Sequence, residues 1–275
     1  MKRIVLIITF IILSVLVYAQ QINYKIDFIQ TSKNNDYSRY YKDLQNCLIG
    51  ALKIVLNELE IQKDLDINIL IEIADSYKYP NIKGVGAQSE EFVLLKKTNE
   101  GNVYQQGLTD YIFNEDSHLS KQHHFQIIIN DKYLDKQLWF DPNPEKRTLE
   151  VPEKKLDAIS VFMHEILHVL AFNGWLDSKT GISKSPNKAR SIYDTHVIKY
   201  QDKLYFNGSN AVKIFGKMVP LNIRNYKHYG NSDNKGKILE SFIMYGEFYK
   251  RGYRFNLSDL NLAILKDCGL NIKKK

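Results

Sequence analysis

The segment Phe162-Met163-His164-Glu165-Ile166-Leu167-His168-Val169-Leu170 constrains the fold more than any other part of the chain. Coiled as a helix it is apolar almost all round, and such a helix has to lie inside a packed domain. Three ionisable side chains nevertheless sit in it. Buried groups of that kind need partners, so the rest of the chain must both enclose this helix and satisfy His164, Glu165 and His168.

The spacing says what partner would serve. Histidines four apart project from one helical face and can share a single cation, for which zinc is the natural choice. Glu165 lies beside the first of them. Its carboxylate can take the proton of a zinc-bound water as that water attacks a carbonyl, which the metal also polarises. A catalytic zinc wants a third protein ligand and one open position. Ala171 and Gly174 follow the helix directly, so that ligand must come from further along. His196 and His228 are the downstream candidates. His228 is preferred, because Glu240-Ser241-Phe242-Ile243-Met244-Tyr245-Gly246 follows it and places a Met before a turn, where it can pack beneath a metal site. Glu240 stands as an alternative, carboxylate, third ligand. His118, His123 and His124 lie in a polar stretch and read as surface residues.

Periodicity orders the remaining elements. Ile22 to Phe28 alternates and predicts a strand; a helix follows, capped by Asp36 or Ser38 and running to about Glu60. Ile67 to Ile73, Glu91 to Leu95 and Phe125 to Asn130 are further strands. The motif helix is predicted from near Glu153 to Phe172, with Pro152 at its first turn and Gly174 as its stop. From Trp175 to about Leu221 no strong period appears, which predicts a long functional loop with little regular structure. Ser258 caps a final helix. The plan is α+β, with an N-terminal lobe over 20–174, a C-terminal lobe over 175–275 and a cleft between them.

Lys2 and Arg3 precede an apolar run from Ile4 to Val17, and Val17-Tyr18-Ala19 suits signal peptidase. A signal peptide over 1–19, cleaved after Ala19, is therefore expected, and with it a secreted or extracytoplasmic product. The run is short for a span, and no second one follows, so no stable membrane anchor is expected. The net charge of +7 is spread over scattered lysines, which reads as a solvated surface and not as a nucleic-acid site. Cys47 and Cys268 either pair as a disulfide joining the first helix to the last or stay as two separately buried thiols. Asn207 and Asn256 head glycosylation acceptor motifs if the secretory route is eukaryotic.

Three pieces of the chain in order resemble the Met-turn zinc peptidases (metzincins), and specifically their leishmanolysin-like branch. They are His164 to Phe172; then Phe206-Asn207-Gly208-Ser209-Asn210-Ala211 leading to Val219-Pro220; then His228 leading to Glu240 and Met244-Tyr245-Gly246. The tail from Leu257 to Leu270 is similar to the branch's closing helix. The resemblance spans roughly residues 154–270 and implies a secreted zinc endopeptidase acting on protein or peptide substrates. It implies His164, His168 and His228 as zinc ligands, Glu165 as general base and Met244 as the turn methionine. It also implies a mixed twisted sheet with two long helices, an irregular C-terminal lobe ending in a helix, and an edge strand that aligns extended substrate, for which Phe125 to Asn130 is the candidate by position. Ala171 replaces the branch's usual Gly, and the dense cysteines and large C-terminal domain of its best-known members are absent from this sequence. A catalytically silent zinc-binding or adhesion module on the same fold is the rival from another class.

Overall fold

The computed structural model describes residues 20–33, 35–117, 119–185, 187–230, 239, 242–245 and 250–274. The expected signal peptide, His118 and Glu240 lie outside the described residues. Along the first half run strand β1 (Ile22–Gln30), helix α1 (Tyr41–Asn57), strands β2 (Leu65–Ala74), β3 (Val85–Ser89), β4 (Phe92–Thr98) and β5 (Gly101–Gln106), and helix α2 (Gly107–Phe113). Strand β6 (Phe125–Asn130), helix α3 (Asp131–Gln137), the short strands β7 (Leu138–Trp139) and β8 (Leu156–Asp157), and helix α4 (Ala158–Leu170) follow.

The main sheet has the order β1-β2-β6-β3, with β1, β2 and β6 parallel and β3 antiparallel on the edge. Alternation decides its faces: Ile67, Ile69, Ile71 and Ile73 of β2 and Phe125, Ile127 and Ile129 of β6 are fully buried. Helices α1 and α4 pack on each other, α1 also against β1 and α4 against β3. Leu44, Leu48, Leu52 and Val55 of α1 join the core at helical spacing, and every residue of α4 except His168 is buried. The α+β class is as expected. Strand β6, however, lies between β2 and β3, so the strand expected to align substrate at the edge is an interior one. The edges are β1 and β3, and β3 is the one that packs on α4.

Helix starts differ from expectation for local reasons. Pro152 belongs to a separate turn, its carbonyl accepting from Lys155 N at 2.8 Å. Leu156-Asp157 then pairs with Leu138-Trp139, and Asp157 becomes the N-cap of α4, accepting from Ser160 N at 3.2 Å. An aspartate cap satisfies an orphan N–H, which a proline at the first turn cannot do. Arg147 and Arg254 stand 3.4 and 3.7 Å from the same carboxylate. Asp36 caps Ser38 N at 2.9 Å, but this begins a short 3-10 turn over Ser38–Tyr40, and α1 proper starts at Tyr41.

The stretch expected to be loop carries regular structure. It holds β9 (Arg190–Ser191), α5 (Ile192–Thr195), β10 (Val197–Tyr200), β11 (Lys203–Phe206), α6 (Ser209–Phe215) and β12 (Val219–Pro220). Strand β9 pairs with β5, extending the β4-β5 hairpin, and β10-β11-β12 form a small antiparallel sheet. These pieces are held by caps that replace periodicity: Ser191 and Asp194 close a capping box on α5, and Asp267 accepts from Asn210 N and Ala211 N at 2.9 Å each. Helix α7 (Asp259–Asp267) starts, as expected, at Ser258, in a capping box with Asn261. Cys47 and Cys268 are both buried and unpaired, so the separate-thiol alternative holds. No helix among the described residues is long and apolar enough to cross a membrane.

Candidate metal centre

Helix α4 turns His164 and His168 toward the same point, and His228 meets them there. The Nε2 atoms lie 3.0 Å apart for His164 and His168, 3.1 Å for His164 and His228, and 3.2 Å for His168 and His228. The His164 and His228 rings are nearly parallel, at 22°, and His168 stands at 83° to both. Together the three are close enough to hold a metal ion.

Their outer nitrogens fix which tautomer this is. His164 Nδ1 meets the Ile243 carbonyl and His168 Nδ1 meets the Phe172 carbonyl, each at 2.7 Å. A carbonyl can only accept, so both Nδ1 atoms carry the proton and both Nε2 atoms present a lone pair to the centre. His228 Nδ1 is buried and has no partner among the described residues. Burial pushes the His164 pKa down to about 4, against the raising effect of its Ile243 bond. Burial, and then the neighbouring histidines, hold His168 and His228 well below the ordinary histidine value. All three are therefore neutral at pH 7, the form that ligates metal.

How a residue 60 positions beyond His168 reaches this point depends on one carboxylate. Chain exit from α4 is made by Ala171 N and Phe172 N, both donating to Leu167 O, with Ala171 at φ −153° and no left-handed residue. Gly174 is not the stop expected of it, since its φ is not positive. It is a glycine because a Cβ there would sit 2.0 Å from Asp194 Oδ1. Asp194 is fully buried and accepts from Trp175 N at 2.9 Å, Ser191 N at 3.1 Å and Tyr226 Oη at 2.7 Å. It thus ties the segment after α4 to Tyr226, two residues before His228. Tyr229, on the other side of His228, donates its N–H to Met244 O at 2.8 Å. The one signal for Asp194 in the sequence is the capping-box spacing of Ser191-Ile192-Tyr193-Asp194, which marks a helix start and not a brace for His228.

Met244 is fully buried in the turn over 242–245, closed by Tyr245 N on Phe242 O at 2.9 Å. It is the Ile243 carbonyl of this turn that accepts from His164 Nδ1.

Glu165 faces a cleft of about 960 Å³. One wall is β3, whose free edge borders it; the other carries Trp175, Asn225, Lys227 and His228. Burial raises the Glu165 carboxyl to about 8, opposed by a hydrogen bond from the Ala87 backbone on β3. Tyr133 of α3 also lines the cleft, and burial, then the nearby Glu165, hold its phenol well above the ordinary range. Burial lowers the Lys227 ammonium, and Asp194 works against that shift.

The other histidines have different duties. His196 bonds Asp267 O through Nε2 at 2.8 Å and packs on Phe206, outside the cluster. His124, expected at the surface, is buried against Tyr111 and accepts from Asn68 N at 3.0 Å. His123 pairs with Asp27 at 2.8 Å.

No protein-family model matches the chain, no curated protein matches its sequence, and no solved structure matches its fold.

Proposed function

We propose that this chain is a secreted zinc-dependent endopeptidase of the leishmanolysin-like metzincin type, with His164, His168 and His228 as ligands, Glu165 as general base and Met244 as the turn methionine. The observation that carries the reading is the convergence of three neutral imidazoles at 3.0–3.2 Å with a buried carboxylate beside them on an open cleft. Zinc bound to nitrogen at about 2.0–2.1 Å spaces three tetrahedral ligands about 3.3 Å apart, so the triangle needs to open by only a few tenths of an ångström. Three protein ligands leave the fourth position to water or substrate.

A zinc ion held there would supply Lewis acidity, polarising the scissile carbonyl and acidifying water. The protein's own groups do the rest. The free edge of β3 pairs with the main chain of an extended peptide and brings one carbonyl to the histidine cluster. Glu165 takes the proton of the attacking water and returns it to the departing amine as the C–N bond breaks. On α4, Glu165 accepts from the Ala87 N–H of β3, and this bond holds its carboxylate at the cleft.

A peptide-library digest with and without a zinc chelator tests the proposal. Cleavage that stops on chelation and returns with added zinc is expected; cleavage indifferent to the chelator would refute it.

A further inference from the structure

Lys227 places a cation on the wall of the cleft, one residue from His228. Among the described residues it has no hydrogen bond or ion pair. The carboxylate whose charge acts on it, Asp194, is already engaged by Trp175 N, Ser191 N and Tyr226 Oη, and ties the segment after α4 to the one that carries His228. Glu165 is the one carboxylate among the described residues lining the cleft, and it is held on the opposite wall by Ala87. Asn225, next to Lys227 along the same wall, leaves its Nδ2 without a partner among the described residues. A partly desolvated, unpaired cation is costly, and such groups persist where a ligand supplies the counter-charge.

We infer that Lys227, with Asn225 beside it, is a specificity site that binds a carboxylate of the substrate, so that the cleft prefers peptides with an acidic group to one side of the reacting bond. This rests on the endopeptidase reading for its meaning but not for its test. The carboxylate can be an Asp or Glu side chain or the end of a peptide chain, and both present the same two oxygens to Lys227.

The test measures binding, in the zinc-loaded Glu165→Gln protein, of labelled peptides that differ by a single Glu or Gln at successive positions. A second set differs only in a free or amidated C-terminus. At one position the acid should bind at least about tenfold more tightly than its amide, the range expected of a hydrogen bond to a charged group. Lys227→Met should abolish that ratio, Lys227→Arg should retain it, and Lys227→Glu should reverse it in favour of Lys-bearing peptides. A preference seen only with the free C-terminus assigns the site to chain ends; one seen with internal Glu assigns it to side chains. Equal binding of acid and amide, a ratio that survives Lys227→Met, or no binding of any peptide would overturn the inference. Cleavage by the Glu165-bearing protein without acid preference would sink this site and leave the peptidase; acid preference without cleavage would do the reverse.

Discussion

Glu165 and the histidines beside it titrate in opposite senses when no metal is bound. His164, lowered from 6.5 to about 4, contributes stability that is present above 6.5 and lost as pH falls towards about 4. Glu165, raised from 4.5 to about 8, contributes stability that is present below 4.5 and lost as pH rises through about 8. Acidifying the metal-free protein from about pH 7 to about pH 5 therefore loses the first and gains the second. Glu165→Gln removes the gain, so its urea-unfolding stability should fall by about 2 kcal/mol more than wild type over that interval. Parallel curves for the two proteins would contradict these environments. His228→Ala should cost well over tenfold in zinc affinity, judged against the ten- to hundredfold that outer-shell partners alone are worth. Glu240→Ala should leave it unchanged, and a zinc titration showing the opposite pattern would move the third ligand to Glu240. His164, Glu165 and His168 were legible because their chemistry is local, four residues on one helical face. Cleft-facing Lys227 and Tyr133 were not, because their positions depend on how separate segments fold against α4.

At the scale of elements, period decided what could be read. Strands β1 and β2 alternate, β6 is a short apolar run, α1 and α7 repeat at helical spacing, and each lies within a turn or so of where its pattern points. Strand β3, Val85-Gly86-Ala87-Gln88-Ser89, has neither alternation nor bulk, yet it is the edge that borders the cleft. The pieces between α4 and His228 run from two to seven residues, too short for a period, and their caps take its place. Asp194 is the clearest case, and Gly174 its complement. Gly174→Ala forces a methyl against that carboxylate and should destabilise the fold by about 2–4 kcal/mol, the range of other buried-network disruptions. It should also weaken zinc binding, since Tyr226 and His228 move with Asp194. Urea unfolding and a zinc titration read both; an Ala variant that matches wild type in each would show that Asp194 does not position the third ligand.

Across the whole molecule, the C-terminal segment closes back on the first helix. Glu60 N donates to Asn271 O at 2.8 Å, Lys273 N to Glu58 O at 2.9 Å, and Leu59 bridges Ile272. Tyr229 Oη accepts from Asn261 of α7 at 3.0 Å, so the last helix also braces the strand-like turn around His228. This closure uses backbone pairing and packing and no disulfide, and Cys47 and Cys268 remain buried thiols, Cys47 raised by burial to about 12. A thiol reagent should therefore label neither in the native protein and both after denaturation without reductant. Denatured protein that labels only after reduction would contradict the separate thiols.

The central claim is that Glu165 works as a base beside a three-histidine zinc site, and the hydrolysis rate of zinc-loaded Glu165→Gln measures it most directly. The account predicts a fall of about 10²–10⁴-fold, the usual contribution of a positioned general base, with zinc stoichiometry unchanged from wild type. A variant that holds its zinc and cleaves peptide at the wild-type rate would contradict it.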